Sequence, residues 1–213
     1  MTTITRRPRE ETLLAFAAGT LRPPEAAVVA AHLVLCPASA NLVRRLESVG
    51  GYLFERLPPT PVGAEALARL MARIDADGGE AVAEPARNDM PGLPEPLRRI
   101  PLGPWRWRGR GTWVRSLGVP RVGDCRAMLF SIDPGRRMPK HSHSGTEFTC
   151  VLSGSYSDEN GRFGPGDFEE ADEETDHQPI VDSDCPCICI VALDGQIRLS
   201  GLIGRTMQPF VRL

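Results

Sequence analysis

Two histidines one residue apart, His141 and His143, sit in a glycine-bounded stretch, Gly135 to Gly154, that reads GRRMPKHSHSGTEFTCVLSG. Side chains alternate faces along a strand, so the Ser142 spacer sends both imidazoles to the same side. Glu147 follows after Ser144-Gly145-Thr146, a turn or bulge that can bring its carboxylate back to that side. Two imidazoles and a carboxylate on one concave face make a metal-binding set. The chain has four histidines, and His177 lies downstream, where it can complete a set of three imidazoles and one carboxylate.

The text around this stretch is strand-like. From Leu97 onward, segments such as TWVRSL, CRAMLFSI, EFTCVLSG and CICIVAL are short, β-prone and bounded by Gly or Pro. They predict an antiparallel barrel over residues 97–213. The front of the chain has the other period. EETLLAFAA predicts a helix over 10–18 that stops at Gly19, and Ala/Val-rich text predicts a second over 24–35. A third helix over 38–57 carries Leu42, Leu46, Val49 and Leu53 on one stripe and ends at Pro58-Pro59-Thr60-Pro61. A fourth, over 64–75, carries Leu67, Leu70, Met71 and Ile74 on one side. Residues 77–96, rich in Pro, Gly and acid without periodicity, read as a linker. The expected fold class is therefore α+β: a four-helix domain over 1–76, a linker over 77–96, and a β-barrel over 97–213.

A net charge of −2 argues against nonspecific nucleic-acid binding. No apolar run approaches the ~20 residues that span a bilayer. The N-terminus, MTTITRRPREETLL, lacks the apolar core of a secretory signal, so a cytoplasmic protein without a membrane partner is expected. The six cysteines are too dispersed for a disulfide framework. Cys185, Cys187 and Cys189 alternate, which aims all three one way along a strand, with Ile188 and Ile190 opposite; they read as small core side chains. A redox role would need a thiolate of lowered pKa beside the metal. Cys125 and Cys150 read as packing residues.

Gly135-x5-His141-x-His143-x3-Glu147-x6-Gly154 resembles the first motif of the cupin superfamily at every position. Gly164-Pro165-Gly166-Asp167 and His177 resemble its second motif more loosely. The resemblance implies a jelly-roll barrel holding a divalent metal on His141, His143, Glu147 and His177, with zinc first among zinc, iron, manganese, nickel and copper.

The front half, AFAAGTLRPPEAAVVAAHLVLCPAS, resembles the N-terminal domain of the zinc-binding anti-sigma factors. Those domains carry His-x3-Cys-x2-Cys and an early histidine. His32 and Cys36 match, but Ser39 stands at the second cysteine and Thr5-Arg6-Arg7 where the early histidine should be. The site is degenerate. Either zinc binds weakly with water or a carboxylate filling in, or the helices fold on their apolar stripes without it, the reading favoured here. The combination of both halves resembles the ChrR-type cupin-containing anti-sigma factors. That implies an extracytoplasmic-function sigma factor as partner, held inactive until an oxidative signal such as singlet oxygen. The apolar third helix, Leu42 to Phe54, would either touch that partner or be buried all round. The alternative is a cupin metalloenzyme of dioxygenase type, whose helical half makes a homodimer.

Overall fold

The computed structural model describes residues 4–76 and 88–200. Residues 77–87 of the expected linker and 201–213 of the expected barrel lie outside the described residues.

The helices are α1 (Glu10–Ala17), α2 (Pro23–Leu35), α3 (Pro37–Phe54), α4 (Ala66–Ala76) and a short α5 (Glu95–Arg98), the last additional to the four expected. Local chemistry sets their ends. Pro23 and Pro24 occupy the first turn of α2, where a missing N–H leaves no helical bond unmade. Glu25 reaches back to accept the N–H of Arg22 at 3.2 Å. Pro37 pushes Cys36 out of the helical region, to φ −115° and ψ 93°, which ends α2. The same proline opens α3, so the two axes bend by 118°. Among the described residues, no single helix is long and apolar enough to cross a membrane.

The second half is a barrel of antiparallel strands. Its large sheet runs β1 (Arg106–Gly109), β2 (Thr112–Ser116), β3 (Arg126–Ile132), β10 (Cys187–Leu193), β5 (Glu147–Ser153) and β8 (Phe168–Ala171). Two smaller sheets accompany it: β4 (His141–His143) with β11 (Ile197–Leu199), and β7 (Gly161–Phe163), β6 (Tyr156–Asp158) and β9 (Ile180–Val181). The central strands read as near-continuous apolar runs because both their faces are covered. Met128, Phe130, Cys189 and Val191 share one core with Tyr156, Phe163 and Val181. Ala127, Leu129, Ile190 and Ala192 alternate with them and share a second core with Val28, Val29 and Ala31 of α2. Burying a side chain such as Val28 or Val29 contributes roughly 1.5–3 kcal/mol each.

α1, α2 and α3 pack on one another, through Leu13 and Val43 among others, and α2 is pressed on the barrel as well. α4 buries none of its residues, and Val49, Tyr52, Leu53 and Phe54 of α3 are exposed. Residues 88–96, read as tether from composition, belong to the packed structure. The Asn88 amide donates to the carbonyls of Leu97 at 2.8 Å and Ile100 at 3.0 Å, and Leu93 and Leu97 are buried in the outer core. Cys185 precedes β10 and is exposed, so it does not join Cys187 and Cys189 in the barrel core.

Gly154 closes the first motif at φ +70°, and a Cβ there would lie 2.7 Å from the Pro186 carbonyl oxygen and 2.8 Å from Cys187 Cα. Gly154→Ala is expected to lower stability by about 1–3 kcal/mol in urea unfolding. Gly50→Ala, on an open face of α3 with nothing within 4 Å, is expected to raise it by about 0.5–1 kcal/mol.

Candidate metal centre

Alternation along β4 aims His141 and His143 into the barrel, as their spacing requires; both are buried, at 4% and 0% exposure. His177 arrives from far along the chain by backbone pairing. It exchanges two hydrogen bonds with His141, each 3.0 Å, N–H to carbonyl in both directions. Three imidazoles thus converge. His177 Nε2 lies 3.2 Å from His141 Nε2 and 3.4 Å from His143 Nε2.

The opposite nitrogens show what that convergence is for. His141 Nδ1 is 2.8 Å from the Pro139 carbonyl, which can only accept, so Nδ1 carries the proton. His177 Nδ1 faces two carboxylates, Asp158 at 3.2 Å and Glu169 at 3.3 Å. His143 Nδ1 is buried without a hydrogen bond, and Glu147 Oε2 stands 3.6 Å away. His141 turns Nδ1 to a carbonyl, and His143 and His177 turn theirs toward carboxylates, so the three Nε2 atoms face one another. Such a set fits a cation.

The electrostatics agree. Burial, more than any other cause, pushes His141 and His143 down to about 4, which keeps them neutral. Burial also opposes charge on His177. Hydrogen bonds to Asp158 and Glu169, with the field of Glu169 and Glu147, overcome it and raise His177 to about 10. The triad therefore calls for one positive charge, a proton or a metal ion in its place.

Glu147 starts β5 and lines the same cavity, but it stands beside His143 Nδ1 rather than among the three Nε2 atoms. Its Oε1 accepts the Thr149 hydroxyl at 3.0 Å. Three residues that sequence reasoning did not flag support the triad: Asp158, Glu169 and Tyr156. The Tyr156 hydroxyl, whose pKa burial holds well above its ordinary value, donates to Glu169 Oε2 at 2.6 Å. The signal for Glu169 was available: in Phe168-Glu169-Glu170-Ala171, strand alternation must turn one of two adjacent glutamates inward.

The cavity beside the triad is small, about 60 Å³, walled by Phe130, Ile132, Val181 and Val191. Cys189 also faces it. A hydrogen bond with Cys187, and then burial, raise the Cys189 thiol well above its usual range. That is the reverse of the activated thiolate a redox cysteine needs. His32 and Cys36 are not part of this site; they lie where α2 meets α3, with His32 nitrogens 2.8 Å from the Gly166 carbonyl and from Ser39 Oγ.

Known proteins resemble this arrangement over most of the chain. The family model of the ChrR cupin-like domain matches residues 100–196. The anti-sigma-E factor ChrR of Cereibacter sphaeroides is 38% identical over 99% of this chain and 100% of its own. The crystal structure of Rhodobacter sphaeroides SigE in complex with the anti-sigma ChrR contains a chain that superposes with a TM-score of 0.75 and 35% identity, covering 90% of this chain and 100% of that one.

Glu169→Gln keeps the shape but removes the carboxylate behind His177. Metal affinity is expected to fall roughly 10–100-fold, read by chelator competition, with far-UV circular dichroism unchanged. His141→Ala is expected to lower metal content below half of the native level by elemental analysis.

Proposed function

The chain belongs to the family of ChrR anti-sigma factors, and on that footing we propose that it binds an extracytoplasmic-function sigma factor and inhibits it by covering the surface that must meet RNA polymerase. One observation carries this reading. The second half of α3 and all of α4 present apolar stripes that nothing in the described structure covers. Leu53, Phe54, Leu67 and Leu70 are 60%, 74%, 69% and 54% exposed. On α4, Leu67, Leu70, Met71 and Ile74 fall at i, i+3, i+4 and i+7, one face of a helix. An exposed apolar helix face of this kind fits a groove on another protein. The relatives' own descriptions, an anti-sigma-E factor and a complex with SigE, point to the same class of partner.

Within this reading, residues 1–76 supply the partner surface and residues 97–213 the sensor. The metal would be held by His141, His143 and His177, with Glu147 as a supporting carboxylate beside His143 Nδ1. Zinc is the favoured ion. Tetrahedral ligands about 2.0–2.1 Å from zinc stand roughly 3.3 Å apart, close to the 3.2 and 3.4 Å that separate His177 Nε2 from the other two Nε2 atoms. A redox-inert metal also suits a sensor better than an oxygenase. The cavity argues the same way. Pockets for organic ligands run from about 300 Å³ upward, whereas this one has room for a few waters. Its size favours a small oxidant such as singlet oxygen as the signal over a carbon-skeleton substrate. A partner of RNA polymerase works in the cytoplasm, where this chain is accordingly placed.

Leu70→Asp and Leu53→Asp, in the full chain, are each expected to weaken binding of a cognate sigma factor at least tenfold by calorimetry, about 1.4 kcal/mol. The melting temperature should stay within roughly 2 °C, since both side chains are exposed already. Undiminished binding would move the interface elsewhere. His177→Ala is expected to bind the sigma factor as the native chain does but to retain it under a singlet-oxygen photosensitiser that releases it from the native chain.

A further inference from the structure

The corner between α2 and α3 holds a histidine and a cysteine that the metal centre does not use. His32, Cys36 and Ser39 are all buried, His32 completely. Both His32 nitrogens are engaged, Nδ1 with the Gly166 carbonyl and Nε2 with Ser39 Oγ, each at 2.8 Å. Ser39 Oγ lies 3.3 Å from Cys36 Sγ. A carbonyl only accepts, so Nδ1 carries the proton. Burial above all, with the nearby Arg7 charge, holds the ring below its ordinary pKa and therefore neutral. Nε2 is then a bare acceptor. The Ser39 hydroxyl donates to it, and the Cys36 thiol is left to donate to Ser39 Oγ. Every proton in the series has an acceptor.

A zinc ion does not fit this set. Flanking ligands of a tetrahedral zinc stand more than 3 Å apart and include anionic sulfur. His32 Nε2 and Ser39 Oγ are at hydrogen-bond distance, and the serine is neutral. Where a further histidine would stand, the backbone N–H groups of Thr5 and Arg6 donate to Asp167 Oδ1 at 2.8 and 2.9 Å. Arg7, the next residue, adds positive charge near the ring.

We infer that this corner has no metal role in this chain and that His32 is a strut seating α2 and α3 on the barrel turn Gly164–Asp167. The turn is built to be gripped. Asp167 Oδ2 accepts the Gly164 N–H at 2.9 Å, while Oδ1 holds the N-terminal segment. Gly166 sits at φ +89°, and a Cβ there would lie 2.5 Å from Ile4 Cδ1 and 3.3 Å from Leu35 Cβ. Phe168, at the start of β8, meets the His32 ring edge-on at 5.5 Å. Glu169, next in that strand, is the carboxylate behind His177. The strut thus ties the helices to the strand that positions the triad.

The test uses the full chain, with elemental analysis and melting of the native protein, His32→Ala, Cys36→Ser and Ser39→Ala. Metal per chain is expected to be the same in all four. His32→Ala and Ser39→Ala should each melt roughly 3–10 °C lower, because each leaves a buried polar group unpaired. Cys36→Ser should melt within roughly 2 °C of native, since a hydroxyl donates as the thiol did. Cobalt(II)-loaded native chain should lack a thiolate-to-cobalt charge-transfer band. Loss of about one metal equivalent in Cys36→Ser, or a charge-transfer band that this variant abolishes, overturns the inference. If His32→Ala does not fold, Cys36→Ser and the cobalt spectrum decide alone. A His32→Ala protein that melts with the native one refutes the strut.

Discussion

A sheet that is apolar on both faces has to be covered twice. β3 and β10 alternate residues between an inner core of Met128, Phe130, Cys189 and Val191 and an outer core of Ala127, Leu129, Ile190 and Ala192. The inner set is covered by packing within the barrel. The outer set would face water were it not for α2, whose Val28, Val29 and Ala31 are fully buried against it. The helical half is therefore the sheet's second cover, and the two halves share one hydrophobic interior although they differ in period and composition. A break between residues 76 and 97 would separate the text cleanly and strip Leu129 and Ile190 of their neighbours.

The same constraint makes the metal centre possible. A closed, apolar interior drives His141 and His143 neutral, which leaves their lone pairs available. It also makes any uncompensated charge costly, so the negative groups are few and specific. Asp158, Glu169 and Glu147 stand around the three imidazoles, and these carboxylates are the groups that favour charge on His177. Negative charge in a dry site is stable only when a cation answers it. Tyr156 shares the task by donating to one Glu169 oxygen while His177 faces the other.

Much of this could be read from residue spacing, and the exceptions have physical reasons. The two-residue period of His141 and His143 specifies one face of a strand, and the structure keeps them there. His177 is joined to them by backbone pairing across 36 residues, a register that no local pattern announces. Asp158 lies on a strand of three residues, too short to show a period, and for Glu169 alternation leaves open which of two adjacent glutamates turns inward. Helix boundaries followed from proline and glycine and fell close to expectation. The fate of each apolar stripe did not follow. Leu67, Leu70, Met71 and Ile74 repeat as regularly as any core helix, yet they face solvent, because a helical moment states that a face wants covering and not by what. Pro and acid made residues 88–96 read as tether, whereas Leu93 and Leu97 fill the outer core. Nothing near His32 foretold that its partner would be Gly166, 134 residues on.

A division of labour among the helices follows. The face of α2 that covers the sheet is committed there and cannot serve a partner as well. α3 beyond Val49, and α4, remain free to do so. An event at the triad changes partner binding only if it favours one arrangement of these helices over another, since a site that treats both states alike shifts neither. The route for such a preference is short. Glu169 touches His177; β8 carries Glu169 and begins next to Asp167; Asp167 and Gly166 hold Thr5, Arg6 and His32. A rearrangement at the triad that shifts Glu169 relative to His177 therefore reaches β8 directly, the strand on whose leading turn the helical layer is seated.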